Sequence, residues 1–134
     1  MRVIIAGGGE FGARLAEELA EGNEVIVIEK DEARAEYLGE KLSSIVFFGD
    51  ASDREMLRKA NADKCNALVA ATADDRLNSA ICEGAKRLGI KRVAARLNDP
   101  DKENLFARGV IPINLIDSAV REFRKAISGK KARP

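Results

Sequence analysis

The sequence predicts an α/β fold: a Rossmann-like, doubly wound, mostly parallel six-stranded sheet with helices on both faces. Three observations carry this. Short β-branched runs alternate with helical segments along the whole chain. The runs are apolar on both faces, as strands between two helix layers must be. The first run opens directly into a glycine loop that starts a helix.

Taken in order, Arg2-Val3-Ile4-Ile5-Ala6 is the first strand. Phe11, Leu15, Ala16 and Leu19 then repeat at helical spacing, so a helix runs over Phe11 to Glu21 until Gly22-Asn23 interrupts it. Glu24 to Glu29 is the second strand, and Asp31 suits the N-cap of a helix reaching about Leu42. Ser44 to Phe48 is the third strand, followed by a short helix capped by Asp53 that runs through Leu57 toward Ala60. Ala67 to Ala71 is the fourth. Asp74 or Asp75 starts the next helix, which reaches Leu88 and stops at Gly89. Lys91 to Leu97 is the fifth strand. Asp99-Pro100 reads as a helix start, with the helix ending at Gly109. Val110 to Ile113 is a brief sixth strand, and a last helix covers about Leu115 to Ile127.

Composition narrows the function. A length of 134 residues suits one domain, expected over 1–128, with a basic flexible tail over 129–134. The 23 basic and 22 acidic residues balance, so no nucleic-acid partner is expected. No apolar run approaches the roughly 20 residues of a membrane span, and the opening MRVIIAGGG lacks a signal-peptide pattern, so an intracellular location is expected. Histidine is absent, which removes His-based triads and His-ligated metals. Cys65 and Cys82 are 17 residues apart, match no zinc or redox spacing, and read as small buried hydrophobes.

Gly7-Gly8-Gly9-Glu10-Phe11-Gly12 fits G-x-G-x-x-G between the first strand and the first helix, the context a dinucleotide-binding turn requires. Gly7 permits the tight turn, Gly9 a close approach to pyrophosphate, and Gly12 close helix–strand packing. The helix end offers free N–H groups to phosphate. Glu29 ends the second strand, 17 residues after Gly12, where a carboxylate accepts from ribose hydroxyls and repels a 2′-phosphate; Lys30 beside it softens that preference. The plain alternative is a tight turn with a solvated Glu.

Other candidates fall at C-terminal strand ends, where such sheets bind ligands. Asp50 and Ala51 follow the third strand, and Asp50 suits the adenine amino group; the alternative is a helix-entry turn. Thr72 and Ala73 follow the fourth and suit the pyrophosphate or second ribose; the alternative is a plain loop. Arg96 at the end of the fifth suits phosphate, in its own or a neighbouring subunit, or else a surface ion pair. Asn78 is a weaker candidate, with a solvated helix face as its alternative.

The segments GGGEFG, VIVIEKD, FFGDASDREMLRKANADKCNALVAATADD, KRVAARLNDP and FARGVIPI together resemble the potassium-transport nucleotide-binding domain, the N-terminal lobe of the KTN or RCK type found in Trk and Ktr potassium-uptake systems. The resemblance covers about residues 1 to 128. It implies a cytoplasmic regulatory subunit, peripheral to the inner face of the membrane, that binds a nucleotide and gates a separate membrane potassium transporter or channel subunit. Family members differ in choosing NAD(H), ATP or ADP, so the resemblance leaves the nucleotide open; the Glu29 carboxylate favours NAD(H) over NADP(H), and ATP/ADP or AMP are the alternatives. By position, Gly7 to Gly12 would hold phosphates, Glu29 the adenosine ribose where the family commonly has Asp, Asp50 and Ala51 the adenine, Thr72 and Ala73 the remaining nucleotide, and Arg96 a phosphate. Family subunits often carry a further C-terminal lobe, and this chain reads as an isolated one.

In the last helix, Ile116, Ala119, Val120, Phe123 and Ile127 form one apolar stripe. The stripe either covers the domain's own sheet or crosses to a second subunit; the resemblance implies the second, a homo-oligomer. A nucleotide-sensing module with no catalytic residue is the expected function. The competing readings are an NAD-dependent oxidoreductase or a fragment of one, and a structural oligomerisation module whose nucleotide is a permanent cofactor. Tyr37 and Lys41 do share a Tyr-x-x-x-Lys spacing, but in the second helix, remote from the strand ends.

Overall fold

The computed structural model describes residues 1–129. The basic tail expected from 129 onward lies, beyond Gly129, outside the described residues. Six strands form one sheet: β1 (Arg2–Ala6), β2 (Glu24–Glu29), β3 (Ile45–Phe48), β4 (Ala67–Ala70), β5 (Arg92–Leu97) and β6 (Val110–Asn114). Their spatial order is β3-β2-β1-β4-β5-β6, and every pairing is parallel, so the sheet is wholly rather than mostly parallel. The chain reverses its direction of travel between β1 and β4, and this switch point leaves a crevice at the C-terminal strand ends.

Among the described residues, four α-helices connect strands, α1 (Glu10–Leu19), α2 (Glu32–Lys41), α3 (Arg54–Lys59) and α4 (Asp75–Arg87), and a fifth, α5 (Leu115–Ile127), follows β6. The caps of α2 to α5 follow from short acceptors placed one residue before each of these helices. Asp31 accepts from Arg34 N–H, Asp53 from Glu55 N–H, Asp74 from Arg76 and Leu77 N–H, and Asn114 from Asp117 N–H. Gly89 closes α4 with φ +90°. The helix expected from Pro100 to Gly109 is instead a 3₁₀ segment, Pro100–Leu105. Asp99 caps it as expected, but none of its residues is buried, so no apolar face sustains a full α-helix. A further 3₁₀ turn, Ala62–Lys64, has no counterpart among the expected elements.

Two cores lie on the two faces of the sheet. One packs Val3, Ile5, Val25 and Val27 against Ala13 and Ala16 of α1 and Leu38 of α2. The other packs Ile4, Ile28, Leu68 and Val93 against Leu57 of α3 and Ile81, Cys82 and Ala85 of α4. Cys65 and Cys82 are free, buried thiols, and burial pushes the Cys82 thiol up to about 12.

On the α1/α2 side the cover stops short. Ile111 and Ile113 of β6 face the same side as their register partners Ala94 and Arg96, and they are 61% and 45% exposed. The α5 stripe does not fold back over them. Ile116, Val120, Phe123 and Ile127 are all exposed, Phe123 by 71%. The alternative in which the stripe serves the chain's own sheet is therefore corrected: α5 contributes no buried residue.

Candidate functional site

The crevice at the switch point is a cavity of about 560 Å³. Its wall is supplied by Gly7 and Gly9 from the β1–α1 turn, Glu10 at the start of α1, Glu29 at the end of β2 and Lys30 after it, Asp50 and Ala51 after β3, Thr72 and Ala73 after β4, and Arg96 at the end of β5. Gly8, Phe11 and Gly12, also singled out in the sequence, lie outside the lining; Phe11 borders a second pocket beside it with Glu10, Arg14 and Arg96. Gly7 adopts φ +110°, a conformation that favours glycine. A Cβ on Gly12 would overlap the Gly7 carbonyl oxygen, so α1 can start this close to β1 only with glycine there. A Cβ on Gly9 would meet no heavy atom within 4 Å, so the loop leaves open space at the mouth of the cavity.

Gly9 is the N-cap of α1 and provides no side-chain acceptor. Each of the other four helices has one. The first N–H groups of α1 are thus left for an outside acceptor, at the positive end of the helix.

Glu29 is held rigidly. Its Oε1 accepts from Gly8 N–H at 2.8 Å and its Oε2 from Asp31 N–H at 2.7 Å. Both oxygens keep a further lone pair for hydroxyl donors. Arg34, which no sequence pattern singles out, donates its Nε to the Gly8 carbonyl at 2.7 Å and stacks on Tyr37. The Gly8 backbone is therefore held at both its N–H and its carbonyl. Only the return of α2 over the loop reveals this, and no local pattern signals it.

Asp50 stands at the exposed rim. Its Oδ1 accepts from the Ser52 hydroxyl at 2.7 Å and from Ser52 N–H at 2.9 Å. These bonds, the hydroxyl's first, hold its carboxyl below the usual carboxylate range; slight burial opposes them and Lys30 assists. Its Oδ2 has no partner among the described residues.

Asn78 is not on a solvated face. It is fully buried. Its Oδ1 accepts from the Thr72 hydroxyl at 2.6 Å and Thr72 N–H at 3.1 Å, while its Nδ2 donates to the carbonyls of Thr72 and Arg96, both at 2.9 Å. It ties the ends of β4 and β5 together and so fixes two walls of the cavity. The Arg96 guanidinium lies over the Phe11 ring, 5.8 Å from its centroid, and its buried Nε has no partner. The surface ion pair considered for Arg96 does not form: none of the salt bridges among the described residues involves it.

The cavity also takes Leu77 and Ile81 from α4, along with Gly49, Asp74, Ile28 and Ala71. Leu77 and Ile81 are absent from the sequence-derived candidates. Their four-residue spacing places them on one helix face, the signal that could have found them. An apolar floor, a rim carboxylate, a fixed carboxylate, an uncapped helix end and an unpartnered guanidinium suit a nucleotide: base, ribose and phosphate in turn.

The family model of the TrkA-N domain matches residues 3–120. The "Trk system potassium uptake protein TrkA" of Vibrio alginolyticus is 39% identical over 113 residues. That match takes in 84% of this chain but 25% of the relative, so the chain spans about a quarter of that relative's length. Among solved structures, the TrkA-N domain of inner membrane protein ybaL from Escherichia coli superposes with a TM-score of 0.83 at 21% identity, covering 94% of this chain and 96% of that one. The Kef C-terminal domain of Shewanella denitrificans in its AMP-bound form gives 0.73 at 25% identity, over 96% and 80%. A GsuK channel bound to NAD gives 0.70 at 17% identity, over 82% and 21%.

Proposed function

The chain belongs to the TrkA-N domain family, and from that premise we propose that it is a nucleotide-binding regulatory lobe of a Trk/Ktr-type potassium uptake system. The carrying observation is the cavity itself, whose wall gathers residues from the ends of β1 to β5, among them the glycine-loop, strand-end and rim positions that the sequence pattern singles out. NAD(H) is the ligand we favour, with ATP, ADP and AMP as alternatives; the GsuK structures bound to NAD and to ADP and the AMP-bound Kef domain support NAD, ADP and AMP.

In this reading the adenine lies between Asp50–Ala51 and the apolar residues of α4. Glu29 accepts from the ribose hydroxyls, its carboxylate already aligned by Gly8 and Asp31 N–H. The phosphates meet the uncapped N-terminus of α1 and Arg96, whose desolvated Nε gains the acceptor it lacks. Thr72 and Ala73 border whatever follows the pyrophosphate. Two copies pair through α5, and nucleotide binding alters their relative arrangement, which a membrane potassium transporter or channel subunit reads. No residue is assigned a catalytic role. The oxidoreductase reading loses its one motif, because Tyr37 and Lys41 both lie outside the cavity lining and pack on each other, with Lys41 Nζ 5.6 Å from the centre of the exposed Tyr37 ring.

The test is calorimetric titration with NADH, NAD, ATP and ADP. Submillimolar binding of at least one is expected. Glu29→Ala removes both the ribose acceptor and the support of Gly8, and is expected to weaken that binding by about tenfold or more, a loss of roughly 1.4 kcal/mol. Absence of binding by all of them, in folded nucleotide-free protein, would overturn the proposal.

A further inference from the structure

The nucleotide reading leaves the charge of the cavity unexplained. Its wall carries four carboxylates, Glu10, Glu29, Asp50 and Asp74, against two cations, Lys30 and Arg96. That is an unusual lining for a polyphosphate. Three of the four are compensated by hydrogen bonds: Glu29 by Gly8 and Asp31 N–H, Asp50 by Ser52, Asp74 by Arg76 and Leu77 N–H. Glu10 is different. It is the first residue of α1, it is exposed, and it has no hydrogen-bond or ion-pair partner among the described residues.

Glu10 also stands at a junction. With Arg96 it borders both the main cavity and a shallower one that opens beside it toward Phe11 and Arg14. The N–H groups of α1 and the guanidinium of Arg96 can neutralise one or two phosphate groups. In the nucleotide reading, a third phosphate on the same adenosine extends past the helix end toward the Glu10 carboxylate, with Arg14 one turn further along α1 beside the adjoining pocket. Like charges a few ångströms apart in a half-solvated crevice cost on the order of a tenfold loss in affinity.

We propose that Glu10 is a specificity-determining residue, which sorts nucleotides by phosphate charge and disfavours a triphosphate. This rests on the nucleotide reading above and deepens it: the cavity selects ligands with one or two phosphate groups, AMP, ADP or a dinucleotide, over ATP.

Titration of AMP, ADP and ATP, in magnesium-free buffer with a chelator so that the phosphate charges are bare, tests it on three proteins: the wild type, Glu10→Gln, and Glu17→Gln, which removes a charge from the same helix outside the main cavity. The wild type is expected to bind ATP about tenfold more weakly than ADP. Glu10→Gln is expected to close that gap while moving AMP by less than about twofold, and Glu17→Gln to leave the ratio where it was. Wild-type ATP binding as tight as ADP, or an equal shift for all three nucleotides in Glu10→Gln, overturns the role of Glu10 and leaves the nucleotide site standing. If AMP, ADP, ATP and NAD all fail to bind the wild type, the nucleotide reading falls and this inference with it.

Discussion

Asp75 shows how much one carboxylate can organise. It is 5% exposed and accepts three hydrogen bonds: from Asn98 N–H at 2.7 Å and the Asn98 side-chain amide at 3.0 Å on Oδ1, and from Asp99 N–H at 2.8 Å on Oδ2. Burial alone would raise its pKa. The bonds from Asn98 and Asp99, with Lys102 nearby, outweigh that and hold it below the ordinary 3.8. A depressed pKa in the folded state means the ionised form stabilises the fold. That contribution is complete above the unfolded pKa and is lost as pH falls through the folded one. Asp75→Asn leaves one buried donor without an acceptor. Urea unfolding at pH 7 is expected to show a loss of about 1–3 kcal/mol. The gap between the two proteins is expected to narrow below about pH 4, as the wild-type carboxyl protonates. An undiminished gap at pH 3 would mean the carboxylate's charge is not what stabilises the loop. Residues of this kind are poorly legible in a sequence. Gly7, Gly12 and Glu29 announce themselves because turn geometry and strand-end position fix their roles locally. Asn78 and Arg34 do not, because their partners arrive from segments distant along the chain: Thr72 and Arg96 for the one, Gly8 for the other.

The elements are legible where capping and periodicity agree. Asp31, Asp53 and Asp74 each cap the helix they precede, and α5 begins at Leu115 as its stripe requires. The segment after Asp99 has the start signals of a helix without a face to bury, and tertiary packing decides such cases. The stripe on α5 poses the opposite problem, a face whose cover cannot be read from the helix alone. Ile116, Val120, Phe123 and Ile127 are exposed on α5, and Ile111 and Ile113 are exposed on β6, the strand that leads into it. A second copy of the chain, offering the same stripe, is the occupant we propose. Sedimentation velocity at tens of micromolar is expected to give a dimer for the wild type and a monomer for Phe123→Asp. Because Phe123 is exposed within its own chain, the variant is expected to keep its far-UV circular dichroism and its unfolding midpoint to within the change caused by losing the partner. A wild type that sediments as a monomer at those concentrations would rule out self-pairing through α5.

At the scale of the whole molecule, the cavity and the α5 stripe are joined by a short stretch of sheet. Arg96 lines the cavity; its register partner on β6 is Ile113; the next residue, Asn114, caps α5. A ligand that draws on Arg96 therefore acts at the root of the helix through which we propose two copies pair. Proximity alone establishes no coupling, since a ligand shifts an arrangement only by binding one arrangement better than another. Coupling is reciprocal, however, and this makes it measurable without the membrane subunit. If nucleotide binding favours one pairing of the lobes, pairing must alter nucleotide affinity by the same factor. The affinity of Phe123→Asp for the ligand found by calorimetry is thus expected to differ from that of the wild-type dimer by about fivefold or more, the usual lower range for coupled sites. Phe123 lies outside the cavity lining, so a direct effect on the ligand does not account for such a change. Equal affinities in monomer and dimer would separate the two functions: the cavity would still bind nucleotide and α5 would still pair, but the bound nucleotide would serve as a fixed structural cofactor and not as a signal.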